Sequence, residues 1–156
     1  MYVRVYCVPV WCGVTPLQIA TRKRDTRMLK ILLQWQSDLY REGRVKRGEL
    51  DYNADVFHLA IDIGAFDVAA ILADVGYDLS RVRYLVDWSE TPPSSFSGNE
   101  IWLQYFRKRA TTVQTMFRIS LLTIRNFLSG HITDSATQLP LPKLLISAVQ
   151  MVDTLT

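Results

Sequence analysis

Few residues in this sequence are of types and spacings that could do covalent chemistry. His58 is the first candidate, as one of two histidines. An imidazole serves as a general base when a nucleophile lies within hydrogen-bond reach and a carboxylate orients the ring. No nucleophile or carboxylate partner recurs near His58, so it reads as a structural histidine that bonds loop backbone. Cys7 and Cys12 are the only cysteines. They match no zinc-ligand spacing and are too few for a disulfide framework, which leaves two ordinary thiols in a reducing compartment. The sequence has no Gly-rich phosphate loop, no metal-ligand cluster and no nucleophile–base pair. The expectation is a protein without catalytic groups or a cofactor.

The chemistry that remains is that of apolar surface. From Thr115 to Leu128, Met116, Ile119, Ser120, Thr123, Ile124 and Phe127 fall at i, i+3, i+4 spacing, as on one helix face. Phe117, Leu121, Leu122 and Leu128 populate the rest of the circumference, and Arg118 and Arg125 are the only charges. A helix apolar all round is ordinarily interior to a large protein or a membrane. This one is too short to span a bilayer and the chain too small to surround it, so its excess apolar area marks a partner surface. Downstream, Gln138 to Leu145 reads QLPLPKLL. Pro140 and Pro142 remove two backbone donors and force extended geometry on Leu139 and Leu141.

Composition is that of a folded protein. Of 156 residues, 49% are hydrophobic and 21% charged, enough for one ordinary domain or two small modules sharing a core. The net charge of +3 is spread over short basic clusters, Arg22-Lys23-Arg24 among them. With no nucleic-acid-binding motif beside them, these read as solvated helix ends and turns. The apolar start, MYVRVYCVPVWCG, is short and interrupted by Pro9, so it is not read as a signal peptide. No stretch approaches the ~18 uninterrupted apolar residues of a membrane span. Neither nucleic acid nor membrane is expected as a partner.

The elements upstream repeat. Residues 13 to 39 read GVTPLQIATRKRDTRMLKILLQWQSDL, and residues 55 to 79 read DVFHLAIDIGAFDVAAILADVGYDL. Placing Ala20 on Ala60 aligns Leu17 with Phe57, Ile19 with Leu59, Leu32 with Leu72 and Asp38 with Asp78. Each unit reads as a short helix, a tight turn and a longer helix ending in a loop. Thr15 is a good N-cap and Pro16 suits the first helical turn. Met28, Leu29, Ile31, Leu32 and Leu33 are too apolar for a helix with one wet face, as expected where neighbours stack on both sides.

Both units resemble ankyrin repeats. Gly13-Val14-Thr15-Pro16-Leu17 and Ala20 match the opening of that pattern, with Gln18 in place of histidine. The second unit restores His58-Leu59-Ala60, has the inter-helix Gly64 and closes on Gly76-Tyr77-Asp78, but has Asp55-Val56 in place of Thr-Pro. The offset, 60 − 20 = 40, exceeds the ankyrin period of about 33 residues. The excess fits an enlarged polar loop over Tyr40 to Asn53. Two repeats need a cap. Ser80 to Glu90 could begin a degenerate third unit, residues 91 to 98 break the chain, and Glu100 to Ala110 reads as a covering helix with Ile101, Trp102, Tyr105 and Phe106 on its apolar side.

The last 44 residues resemble a SOCS box. Thr115-Met116, Ser120 and Ile124 occupy the elongin-binding helix pattern of that family, with methionine for leucine and serine for cysteine. Leu139-Pro140-Leu141-Pro142 matches its cullin-selecting element without a change. The order of modules is that of the ankyrin repeat and SOCS box family. The resemblance implies an all-α chain, a short solenoid of helix pairs followed by a three-helix box. Its expected divisions are residues 1–12, repeats over 13–90 (13–45 and 53–85), a linker and capping helix over 91–112, and the box over 113–156.

It further implies a substrate-recognition adaptor of a cullin–elongin ubiquitin ligase, in the cytoplasm or the nucleus. Elongin C, with elongin B, would bind through Thr115, Met116, Ile119, Ser120 and Ile124. Cullin-5 would engage Leu139, Pro140, Leu141 and Pro142, and the repeats would hold an unknown protein substrate. Ser120 enters the position of a pocket-filling cysteine. A buried hydroxyl without a partner costs about 1–3 kcal/mol, roughly one to two decades of affinity. The alternative is an ankyrin interaction module whose terminal box is only a structural cap.

Overall fold

The structure is a computed structural model and describes residues 13–35, 37–47, 50–112, 119–120, 123–124, 128, 132–138, 140 and 146. The described residues are mostly helical. Two helices, α1 (Pro16–Arg22) and α2 (Thr26–Gln34), precede a hairpin of β1 (Gly43–Arg47) and β2 (Leu50–Ala54). A second pair follows, α3 (Val56–Asp62) and α4 (Phe66–Asp74). Beyond it lie a 3₁₀ turn (Leu79–Arg81), the four-residue α5 (Arg83–Val86), a second 3₁₀ turn (Ser94–Phe96) and α6 (Glu100–Thr111). Among the described residues no helix is long and apolar enough to cross a membrane.

The two helix pairs are built alike, 40 residues apart. Thr15 caps α1, and Gln18 reaches back to the Thr15 N–H to complete a capping box. Asp55 caps α3 by accepting from the His58 N–H. The turn bonds recur in register: Arg24 N–H to Thr21 C=O and Asp25 N–H to Ala20 C=O in the first pair, Gly64 N–H to Ile61 C=O and Ala65 N–H to Ala60 C=O in the second. The loops leaving α2 and α4 also correspond, with Ser37 N–H on Leu32 C=O and Tyr77 N–H on Leu72 C=O. At the inter-helix turn the backbone is left-handed in both units. Gly64 has φ 68°, while the first unit puts a non-glycine residue, Arg24, at φ 50°.

Residues 43–47 and 50–54 are not a polar loop. They form an antiparallel hairpin in which Gly43 pairs with Ala54, Val45 with Tyr52 and Arg47 with Leu50. The physical reason is period-two alternation: Val45 and Ala54 turn inward onto Leu59, while Arg44, Lys46, Asp51 and Asn53 face solvent. The described residues are therefore mostly helical with one small two-stranded sheet, roughly compatible with the all-α expectation. The hairpin straddles the boundary drawn between residues 45 and 53.

The core runs through the second pair into the capping elements. α1 packs on α3, and α6 packs on α5 and the first 3₁₀ turn. An aromatic seam joins these layers. Tyr40 packs on Tyr77 (5.1 Å between centroids), Tyr77 stacks on Phe57 (4.6 Å), and Phe57 meets Phe106 of α6 edge-on (5.6 Å). Phe66 stacks on Trp102 (5.9 Å), and Arg109 pairs with Asp74. The α6 helix does cover the last pair, but at a different phase from the one read in the sequence. Leu103 and Phe106 are its buried residues, and Ile101 is 85% exposed. At 3.6 residues per turn Ile101 lies about 140° from Phe106, too far round the helix to share its face.

Candidate functional site

Two regions could bind a partner, and the first is the angle between the hairpin and the helices beside it. The hairpin is held at its base by Gln18, which is fully buried. Its Nε2 donates to the Ala54 carbonyl at 2.6 Å, and its Oε1 accepts from the Thr15 N–H at 3.0 Å. The Arg44 N–H donates to the Gly13 carbonyl at 3.0 Å. Gly43 is required at this close approach, because a Cβ there would lie 2.0 Å from Gln18 Oε1 and 2.7 Å from the Gly13 carbonyl oxygen. Gln18 stands where the second unit has His58, and it binds hairpin backbone as a histidine was expected to.

His58 itself does otherwise. Its Nδ1 lies 2.8 Å from Asp55 Oδ1, so a carboxylate partner does stand near it, three residues earlier in the chain. The expectation of loop backbone is corrected accordingly. This Asp–His contact is part of a helix cap: the same Oδ1 accepts the His58 N–H, and Oδ2 accepts from the Tyr77 hydroxyl at 2.7 Å. Burial pushes the Asp55 carboxyl up, but hydrogen bonds from the His58 ring, the His58 backbone and Tyr77 outweigh it and hold the group below the ordinary carboxylate value. Burial, with the Asp55 bond added, pushes the Tyr77 hydroxyl well above its usual range.

Two clefts flank the hairpin and share Tyr52 and Asp62. One, of about 300 Å³, has Val45 and Leu59 in its floor with Arg22 and Lys46 at the rim. The other, of about 330 Å³, is lined by Glu42, Asn53, Asp55 and His58. The Tyr52 hydroxyl bonds Asp62, which fixes the wall between them. Among the described residues no three His, Cys, Asp or Glu side chains are arranged to hold a metal ion. The first cleft is apolar below and charged above and the second is lined mainly by polar groups, surfaces suited to a peptide or protein segment.

The second region is the terminal stretch. Ile119, Ser120, Thr123 and Ile124 are helical. Ile119 is 42% exposed, Ser120 is exposed and Ile124 half-buried. The Thr123 hydroxyl donates to the Ile119 carbonyl at 2.9 Å, and the Leu128 N–H to that of Ile124 at 3.2 Å. Further on, Ile132–Thr137 forms a short helix with Ala136 fully buried, and Pro140 is exposed at a bend. Thr115, Met116, Leu139, Leu141 and Pro142 lie outside the described residues. Of the residues expected to bind elongin, Ile119, Ser120 and Ile124 are each helical, and of the cullin element Pro140 alone is among the described residues.

No protein-family model, no curated protein and no solved structure matches this chain.

Proposed function

We propose that the chain is a substrate-recognition adaptor of a cullin-5/elongin B-C type ubiquitin ligase, its ankyrin-like repeats holding the target and its SOCS-box-like tail recruiting the ligase. The observation that carries the reading is the junction of two modules. A repeated helix pair, closed by α6 at Thr111, is followed within four residues by the Thr115 pattern and then by Leu139-Pro140-Leu141-Pro142. The repeat half is supported by caps, turns and helix bounds that recur at one offset, with a hairpin between the units, as in repeats made of a β-turn and two helices. The ligase half is supported by Ile119 and Ser120, exposed on one helix, where an elongin-binding face needs them. The adaptor supplies geometry, and ubiquitin transfer belongs to the recruited ligase.

Co-expression with elongins B and C is the deciding experiment. The full chain should co-purify with both, and Ile119→Asp should abolish the complex. Ser120→Cys should tighten elongin binding, because a thiol costs less to desolvate than a hydroxyl. A titration with no gain would show that the helix pattern is misaligned, and a full chain that stays elongin-free would sink the adaptor reading. The second reading, an ankyrin interaction module with the box as a structural cap, is favoured by the full burial of Ala136. It expects Leu139→Ala to lower the melting temperature and leave every partner unchanged.

A further inference from the structure

The 40-residue correspondence makes it possible to ask what the first unit lacks. In α4, Val68 and Val75 are buried and Ile71 packs against the core. The equivalent positions of α2 are Met28, Ile31 and Trp35, and these are 46%, 41% and 58% exposed. The opposite side of α2, Leu29 and Leu33, is buried against the second unit. Met28 and Ile31 therefore occupy the face on which, one unit later, another helix pair rests. A terminal unit of such an array ordinarily carries a polar outer face. This one is apolar.

Charge narrows what can rest there. The cations beside the apolar stripe are Lys23 of the α1–α2 turn and Arg27 and Lys30 of α2, with Lys23 and Arg27 exposed, whereas Arg22 lines the hairpin cleft and Arg24 reaches the Ile63 carbonyl. The nearest carboxylate, Asp25, is committed to capping α2 through the Met28 N–H at 2.9 Å. A second copy docked face to face would set these cations against their own kind, and docking head to tail is blocked because α6 covers the far end of the array. Residues 1 to 12 of this chain carry Arg4 as their only charge and no carboxylate to meet the cluster.

We propose that the outer face of α2 docks an acidic amphipathic helix of a partner protein, apolar residues on Met28 and Ile31 and carboxylates beside Lys23 and Arg27. On the adaptor reading, on which this extension rests, that helix belongs to the substrate. It would thus engage the end of the array and not only its hairpin clefts.

The test uses the full chain and a labelled synthetic helix with leucines on one face and glutamates on the other, read by fluorescence anisotropy. The peptide should bind, and its affinity should fall at least tenfold in Met28→Glu/Ile31→Glu, whose substituted positions are exposed and leave the fold's circular dichroism unchanged. Lys23→Glu/Arg27→Glu should weaken it several-fold, and added salt should do the same to the wild type. The same peptide with lysines for glutamates should bind at least tenfold more weakly. Equal binding to wild type and Met28→Glu/Ile31→Glu would overturn the proposal. So would binding that emerges only after Val3, Val5 and Val8 are changed to serine, since the chain's own start would then hold the face. A dimer in sedimentation that Met28→Glu/Ile31→Glu converts to monomer would overturn it too. Elongin B-C co-purification of Met28→Glu/Ile31→Glu should match wild type, so a failure here is distinguishable from a failure of the adaptor reading.

Discussion

The contact between Gly43 and Gln18 makes a quantitative prediction that spans 25 residues of chain. Gln18 is fully buried and makes two hydrogen bonds, one to the Ala54 carbonyl and one from the Thr15 N–H. Each contributes about 0.5–1.5 kcal/mol net, so Gln18→Ala should cost about 1–3 kcal/mol. In Gly43→Ala the new methyl would sit 2.0 Å from Gln18 Oε1 and 2.7 Å from a backbone oxygen. The amide must leave and both bonds go with it, so this substitution should cost about 2–4 kcal/mol. In the double variant the amide is already gone, and its loss is counted once. The coupling energy from a double-mutant cycle should therefore be about 1–3 kcal/mol, well above the ~0.5 kcal/mol scatter of independent sites. Urea denaturation of the four proteins measures it, and melting temperatures should follow at roughly 2–4 °C per kcal/mol. Additivity within ~0.5 kcal/mol would refute the idea that Gly43 is glycine to leave room for Gln18.

Four other outcomes are expected. Gly64→Ala should cost about 1 kcal/mol through backbone conformation alone, because its φ is 68° and nothing lies within 4 Å of a built Cβ. Arg24→Gly should be nearly neutral in the same urea titrations, since relief at φ 50° is offset by loss of the Arg24 Nη2 bond to the Ile63 carbonyl. Asp55 titrates lower in the folded chain than in the unfolded one. Its contribution is therefore full above the ordinary carboxylate value of about 3.9, and is lost as pH falls below that through the folded value. Acid titration of Asp55→Asn against wild type should show the stability difference shrinking below about pH 4. Phe106, fully buried and in edge contact with Phe57, should lose about 3–5 kcal/mol on change to alanine, measured by chemical denaturation.

The helix pairs were legible because their punctuation is local. Thr15-Pro16 states a helix start, Gly64 states a left-handed turn, and the apolar spacing of α1 and α3 gives the faces. The hairpin was obscured by composition. Residues 40 to 53 are polar on average, and only the alternation of Val45, Tyr52 and Ala54 against Arg44, Lys46, Asp51 and Asn53 carries the strand signal. Its anchor is not local at all, since Gln18 finds the Ala54 carbonyl 36 residues away. For α6, Trp102 and Phe106 pack on the core as expected and Tyr105 meets both edge-on, but Ile101 is turned out to solvent and Leu103, on the buried side, gave no aromatic signal. The Asp55–His58 contact is an i, i+3 pair at a helix start, a cap spacing legible in the sequence that carries no catalytic signature. For the terminal box, Ile119, Ser120 and Ile124 can be read against a helix, and the rest of the pattern rests on sequence.

The Tyr40–Tyr77 contact has a consequence for how this small array comes apart. Tyr40 leaves the first unit, packs on Tyr77 at the end of the second, accepts the Asp78 N–H on its hydroxyl and lies under the Arg81 guanidinium at 4.4 Å. Peeling α1 and α2 away would uncover the core that Leu17, Ala20, Leu29 and Leu33 share with Phe57 and Ala60, and would also unlace the loop that closes the following unit. In a one-dimensional lattice of repeats, that is a large nearest-neighbour term set against weak individual ones. Fraying from the first unit is then suppressed, and the two helix pairs melt together with α6 in a single transition. A stack of two helix pairs keeps its order by cooperativity rather than by length.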